Sequence, residues 1–326
     1  MSHEITEQDS MVSGMGKTPW HGLGTVVEGR LSALEALELA NLHWKVNQEP
    51  IYTEDMELIT THQLNRRSDT GTILGIVGKD WTPIQNTFLV EIAEALGQAG
   101  TDFKPVIETA GSLKGGRIVW ALITTSERYF ADSDHRSYLL LSNGHDGSRA
   151  VRGTMTDVRV VCNNTLTCAE TQKSSLFVRH TKNVAVRLQD AIELLGWAND
   201  ATDATFAIYE ALAKAPIHVD YLVKNIYTPI VEKHCGWKED SDRIPEAVDQ
   251  MVYLFRNGKG NEGKTAFDAL NGLTDWVDHQ RAFAESDSMQ EVKFLYTTQG
   301  HGATIKRQGA KVLNAYAENW DAHFPF

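Results

Sequence analysis

The sequence predicts an α+β protein: a mixed core of β-hairpins packed on helices, followed by a mainly helical C-terminal region. Up to about residue 181, short β-rich runs alternate with Gly- and Asp-containing turns, and helices are few and short. From Lys182 onward the apolar spacing turns helical, with Val184, Val186, Leu188, Ala191, Leu194, Leu195 and Trp197 in close succession. The expected layout is a flexible N-terminus over 1–15, an α+β core over 16–181 and a helical region over 182–326.

Residues 1–15 are polar and aperiodic, and PWHGLGT (Pro19 to Thr25) reads as a segment laid over a surface. Leu31, Leu34, Leu37 and Leu42 predict a short helix. Trp44–Tyr52, Glu57–Asn65 and Thr72–Val77 have strand character and are separated by acidic or Gly-containing turns. Asn86 is the expected N-cap of a helix carrying Phe88, Leu89, Ile92, Ala93 and Leu96, which Gly97 and Gly100 would end. Phe103–Ala110 and Arg117–Thr125 form a hairpin across GSLKGGR, and Tyr138–Ser142 and Leu176–His180 are further strands. Asn164 is expected to open a helix through Cys168. Beyond Pro216, helices are expected over Val219–Tyr227, Ile244–Phe255, Thr265–Phe283 and Val312–Trp320.

No apolar run is long enough to span a membrane, the N-terminus lacks the apolar stretch of a signal peptide, and Cys162, Cys168 and Cys235 give no disulfide framework. These features place the chain in a cytoplasm. The formal charge of −12 argues against nucleic acid as a partner, but its distribution does not. Ser112 to Arg187 holds eleven Lys/Arg against six Asp/Glu, a net of +5 that leaves −17 elsewhere.

Six ordered motifs carry a family resemblance: PWHGLGT, GTILGIVGKDWTPIQN, AGSLKGGRIVWAL, YLLLSNGHDGSRAV, RVVCNNTL and VRHTKN. With GNEGKTAFDALNGLTDWVDH they resemble the phage/plasmid-like proteins of the domain-of-unknown-function 932 group, over nearly the whole chain. The match departs at Asp80-Trp81-Thr82, where that group would have a tyrosine or similar aromatic. The resemblance implies a protein of phages, prophages or plasmids and supplies no activity. The order of elements is also similar to Rad52-like single-strand annealing proteins, a likeness of fold alone.

A binder of single strands needs cations for phosphates and flat side chains for bases. The candidates are Lys79, Trp81, Lys114, Arg117, Arg149, Arg152, Arg159, Arg179 and Lys182. The expected function is ATP-independent binding and annealing of single-stranded DNA by a homo-oligomeric ring or filament, with no cofactor and no enzymatic step. His145, Asp146, Asn163, Asn164 and His180 read as a hydrogen-bonded frame of turns and a helix start. Two other classes compete. One is a host-factor-binding module, suited by the acidic surface and by the C-terminal aromatics Trp276, Phe283, Phe294, Tyr296, Tyr316, Trp320, Phe324 and Phe326. The other is an enzyme using Cys162 with His145, His180 and Asp146 on a nucleotide-like molecule. A metal on His145, Asp146 and His180 is disfavoured by spacing. GNEGKT lacks the upstream glycine of a phosphate-binding loop and reads as a turn before the helix at Thr265.

Overall fold

The computed structural model describes residues 12–14, 25–27, 31–98, 106–131, 133–159, 164–166, 175–183, 197–238, 240–280, 296–298 and 300–320. The fold is α+β, as the alternation of turns and apolar runs implied.

The larger sheet takes the order β10-β9-β8-β7-β6-β1-β2. Its strands are β1 (Val12–Gly14), β2 (Thr25–Val27), β6 (Val106–Leu113), β7 (Ile118–Phe130), β8 (Ser133–Gly144), β9 (Val151–Arg159) and β10 (Asn164–Leu166). A further strand, β11 (Ser175–Val178), pairs with β9. The long β7–β8 hairpin pairs from Ile118↔Gly144 to Phe130↔Ser133, with a one-residue register shift between Thr124 and Ser126. The outer edge of β9 is shared: β11 pairs with Val151–Thr154, and β10 with Asp157–Arg159. A second, antiparallel sheet has the order β3-β4-β5, with β3 (Val46–Tyr52), β4 (Leu58–Arg67) and β5 (Ile73–Gly78).

Helix α1 (Ala33–Leu39) opens on a capping box. Ser32 Oγ accepts from the Glu35 N–H at 3.3 Å, and the Glu35 carboxylate accepts from the Ser32 N–H at 2.8 Å. With α2 (Phe88–Gln98) it packs Leu37, Phe88, Leu89 and Ile92 against Ile107, Val119, Ala121, Leu139 and Leu141. On the opposite face of β7, Trp120 and Leu122 are also buried, which accounts for the unbroken apolar run IVWALI.

The helical part comprises α3 (Trp197–Lys214), α4 (Val219–Leu222), a π turn (Val223–Tyr227), α5 (Thr228–His234), α6 (Arg243–Asn257), α7 (Ala266–Asp275), a second π turn (Trp276–Gln280) and α8 (His301–Ala317). It has its own core, built from Leu212, Leu222, Tyr227, Met251, Phe255, Leu270, Leu273 and Leu313. The tip of the β7–β8 hairpin reaches into that core. Phe130 packs there, and the buried Asp157 carboxylate accepts from His135 Nδ1 (2.8 Å), Ser137 Oγ (3.1 Å) and Tyr209 OH (3.0 Å).

Four expectations need correction. Val12–Gly14, read as tail, is a strand whose Val12 pairs with Ala110 of β6. Asn164 does not open a helix: it sits in β10 opposite Arg159, where the half-empty edge of β9 outweighs its capping preference. Asn163, Cys162 and Cys168 lie outside the described residues. Asn86 does not cap α2 but is 2 % exposed, with its side chain spent on distant partners. Finally, α8 begins eleven residues before the expected Val312. Of the C-terminal aromatics, Trp276 and Tyr316 are buried, and Tyr296 and Trp320 pack against the helical core. The other four lie outside the described residues.

Candidate nucleic-acid interface

Three of the sequence motifs meet in space. The segment Trp81–Asn86 is a strap between the two sheets, and nearly every residue of it is tied down. The Trp81 carbonyl accepts from Gln48 Nε2 and Gln63 Nε2, both at 3.1 Å. The Thr82 carbonyl accepts from His180 Nδ1 (3.0 Å) and the Ile84 carbonyl from Asn143 Nδ2 (3.1 Å). The Gln85 side chain bridges the backbone N–H and C=O of Val46, at 2.8 and 3.1 Å.

Asn86 fixes the state of His145. Its amide NH2 donates to the carbonyls of Leu42 (3.0 Å) and Trp44 (3.3 Å), so its Oδ1 faces His145 Nε2 at 2.8 Å as an acceptor. His145 is therefore the Nε2–H tautomer. Its backbone N–H donates to the Arg117 carbonyl (2.7 Å), and its own carbonyl accepts from Asn65 Nδ2 (2.7 Å). The ring is fully buried, edge-on to Trp44 at 5.4 Å. Burial, with smaller contributions from His180 and Arg67, pushes its pKa down to about 3. Burial also lowers the pKa of His180, against the opposing effect of its bond to Thr82.

The adjoining turn is an Asx turn, as expected. Asp146 Oδ1 accepts from the Ser148 N–H at 2.9 Å, and Gly147 takes φ +81°. His145, read in the sequence as part of a hydrogen-bonded turn, instead spends its side chain on Asn86, 59 residues away. The frame is thus a joint between layers.

The predicted cations distribute unevenly around this joint. Arg152 and Arg179 are exposed, and each guanidinium lies 5.8 Å from the ring of Phe177, itself 53 % exposed. Phe177 lies opposite Arg152 in the β9–β11 ladder. Arg149 is close enough to Arg152 for the two charges to interact. Its side chain lies over Gly144, where a Cβ would fall 2.3 Å from Arg149 Cγ. Arg117 is exposed, with its backbone against His145. Lys182 pairs with Asp80 at 2.7 Å, both exposed, and Lys79 is exposed beside them.

Three predicted members stand apart or differ. Trp81 is half-buried and stacked on His180 at 4.2 Å, so one face is already covered. Lys114 belongs to the corner where Gly116 touches Trp44 and Arg67. Arg159 sits seven residues along β9 from Arg152, about 23 Å away. Phe177 went unnoticed in the sequence, although alternation in Phe177-Val178-Arg179-His180 puts Phe177 and Arg179 on the exposed side.

Other chemistries find less support. Among the described residues no group of three or more His, Cys, Asp or Glu is arranged to hold a metal ion. In GNEGKT, the Asp268 carboxylate accepts from the N–H groups of Lys264 and Thr265 (both 3.0 Å) and Glu262 (3.3 Å), and from Thr265 Oγ1 (3.1 Å). The donors that a phosphate-binding loop turns toward phosphate are here taken by the protein's own carboxylate. No described helix is long and apolar enough to cross a membrane.

Neither the curated proteins nor the solved structures contain a match to this chain. A family profile described as Domain of unknown function (DUF932) matches residues 73–312, from β5 through most of α8. That span takes in the strap, the His-Asp-Gly turn, the Arg–Phe–Arg patch and the helical core, and the chain therefore belongs to the DUF932 family.

Proposed function

We propose that this protein binds single-stranded DNA across the exposed face of β9 and β11 and, as a homo-oligomer, anneals complementary strands without ATP. The observation that carries the reading is Phe177, an exposed flat ring flanked by the guanidinium groups of Arg152 and Arg179. A base stacks on such a ring whatever its identity, while the cations hold the neighbouring phosphates. Arg149 and Arg117 extend the positive track, and the buried joint beneath holds its backbone still. No bond is made or broken; the strand is held open to its complement.

Fluorescence anisotropy with a labelled oligodeoxythymidylate tests this. With Arg117, Arg149, Arg152 and Arg179 engaged, log K falls against log salt with a slope of about −3. Phe177→Ala weakens binding by about 1–3 kcal/mol, and mixing complementary strands with the protein accelerates duplex formation. A salt-independent affinity, or one unchanged in Phe177→Ala, overturns the reading.

A second reading, a module that binds another protein, is favoured by Tyr52, Leu58, Ile73 and Ile76, large apolar side chains exposed on the three-stranded sheet. Capture of one host protein, lost on Ile76→Asp, supports it.

A further inference from the structure

A cleft of about 420 Å³ opens in the helical part, walled by α6, the second π turn and Trp237. Arg243, Glu246, Ala247 and Gln250 recur at positions i, i+3, i+4 and i+7, one face of α6. Trp276 and Gln280 come from the π turn, whose widened helix sets residues four apart on one side.

The π turn behind that wall is a local cost in stability. A π turn is an unfavourable helix, and this one carries Asp278, whose carboxylate takes Lys306 Nζ at 2.6 Å in a pair almost wholly withdrawn from solvent. Asp275, next to the π turn, is half-buried, and burial raises its pKa. A π turn at the wall of a cleft is typical of sites that bind something.

The polar groups of the cleft are oriented. The Trp276 indole N–H can only donate, and it bonds Gln250 Oε1 at 3.1 Å, which leaves the Gln250 NH2 as a donor toward the cleft. Gln280 lines the same cleft with its amide, beside the Asp275 carboxyl with which it interacts. The fixed Gln250 donor, the Gln280 amide and the half-buried Trp237 ring together match a flat heterocycle with a polar edge. The cleft volume lies within the range of small-ligand sites.

We propose that this cleft is a nucleobase-binding site, distinct from the Arg152–Phe177–Arg179 patch and independent of the reading given for it. Trp237 supplies the stacking surface, Gln250 and Gln280 read the edge of the base, and Arg243 at the rim meets the sugar-phosphate. The base comes either from a free nucleotide or from a strand.

Isothermal titration calorimetry on the full chain separates these sources. Mononucleotides saturate the site if the ligand is free, whereas ribose 5-phosphate, which has no base, gives no heat. Binding seen only with an oligonucleotide, and weakened in Trp237→Ala, assigns the base to a strand. Trp237→Ala lowers affinity by about tenfold or more. Gln250→Leu also takes the acceptor from the buried Trp276 N–H, so Gln250→Glu, which keeps that acceptor and removes the donor, is measured beside it, and both change the ranking among the four bases. In a Phe177→Ala background, where the patch is disabled, mononucleotide binding persists and is lost on adding Trp237→Ala, so the two sites fail separately. No saturable binding of any nucleotide at millimolar concentration, or binding indifferent to both Trp237→Ala and Gln250→Leu, overturns the proposal.

Discussion

Replacing His145 by glutamine should remove a large part of the protein's acid sensitivity. His145 is fully buried and held neutral, with a pKa near 3 against 6.5 for the free side chain. Between those values the unfolded chain binds a proton that the folded chain refuses, so stability rises with pH across that window. The contribution is complete above pH 6.5 and is lost as pH falls toward 3. At 1.36 kcal/mol per unit, the full shift corresponds to about 5 kcal/mol, and lowering the pH to 4.5 forfeits about 3 kcal/mol of it. A glutamine side chain does not titrate, and its amide retains a donor for Asn86 Oδ1. Urea denaturation of both proteins at pH 7 and pH 4.5 isolates the effect, because every other titrating group cancels in the difference. The wild type should lose about 3 kcal/mol more than His145→Gln over that interval. Parallel losses in the two proteins would refute the assignment of His145 as a neutral, buried donor to Asn86.

Three further changes probe the frame. Gly75→Ala places a Cβ 2.7 Å from Asp146 Cα and 2.8 Å from its carbonyl oxygen, backbone atoms that cannot turn aside. It should cost at least about 1–3 kcal/mol in thermal melts, whereas Gly78→Ala, with nothing within 4 Å, should cost little. Asp268→Asn weakens the acceptor of three backbone N–H groups at the start of α7 and should cost about 1–3 kcal/mol by urea denaturation. Tyr209→Phe removes one of three donors to the buried Asp157 carboxylate, with a similar loss of about 1.5–3 kcal/mol, read by differential scanning calorimetry.

Local chemistry made much of this fold readable in advance. The β3–β5 meander follows from three runs of strand character separated by acidic or Gly-containing turns. The start of α7 follows from Thr265 with an acid three residues on, the same pair that closes GNEGKT to phosphate. What stayed hidden depends on partners far along the chain. Asn86 looks like a cap because caps are local, and nothing near it betrays that Leu42, Trp44 and His145 compete for its amide. Asn164 looks like a helix start until the vacant edge of β9 is known. Phe177 looks like core until β11 is seen to lie outermost beside β9, with one side open. The first eleven residues of α8, HGATIKRQGAK, carry few apolar side chains. Gly309 is there because a Cβ would fall 2.0 Å from Leu273 Cδ2, a packing demand that a sequence window does not display.

The β7–β8 hairpin gives the molecule a division in space that differs from the one along the chain. Cutting the polypeptide after residue 181 would divide the sequence where its composition changes, yet the severed front piece would still carry Phe130, His135 and Asp157 at its far tip. Those groups would lose Phe206, Tyr209 and Phe267, the rings that cover them, and Asp157 would lose a donor as well. The back piece would expose the matching socket. Each fragment would therefore present a sticky aromatic surface made for the other, and co-expressed halves should find one another and reassemble, whereas either half alone should aggregate.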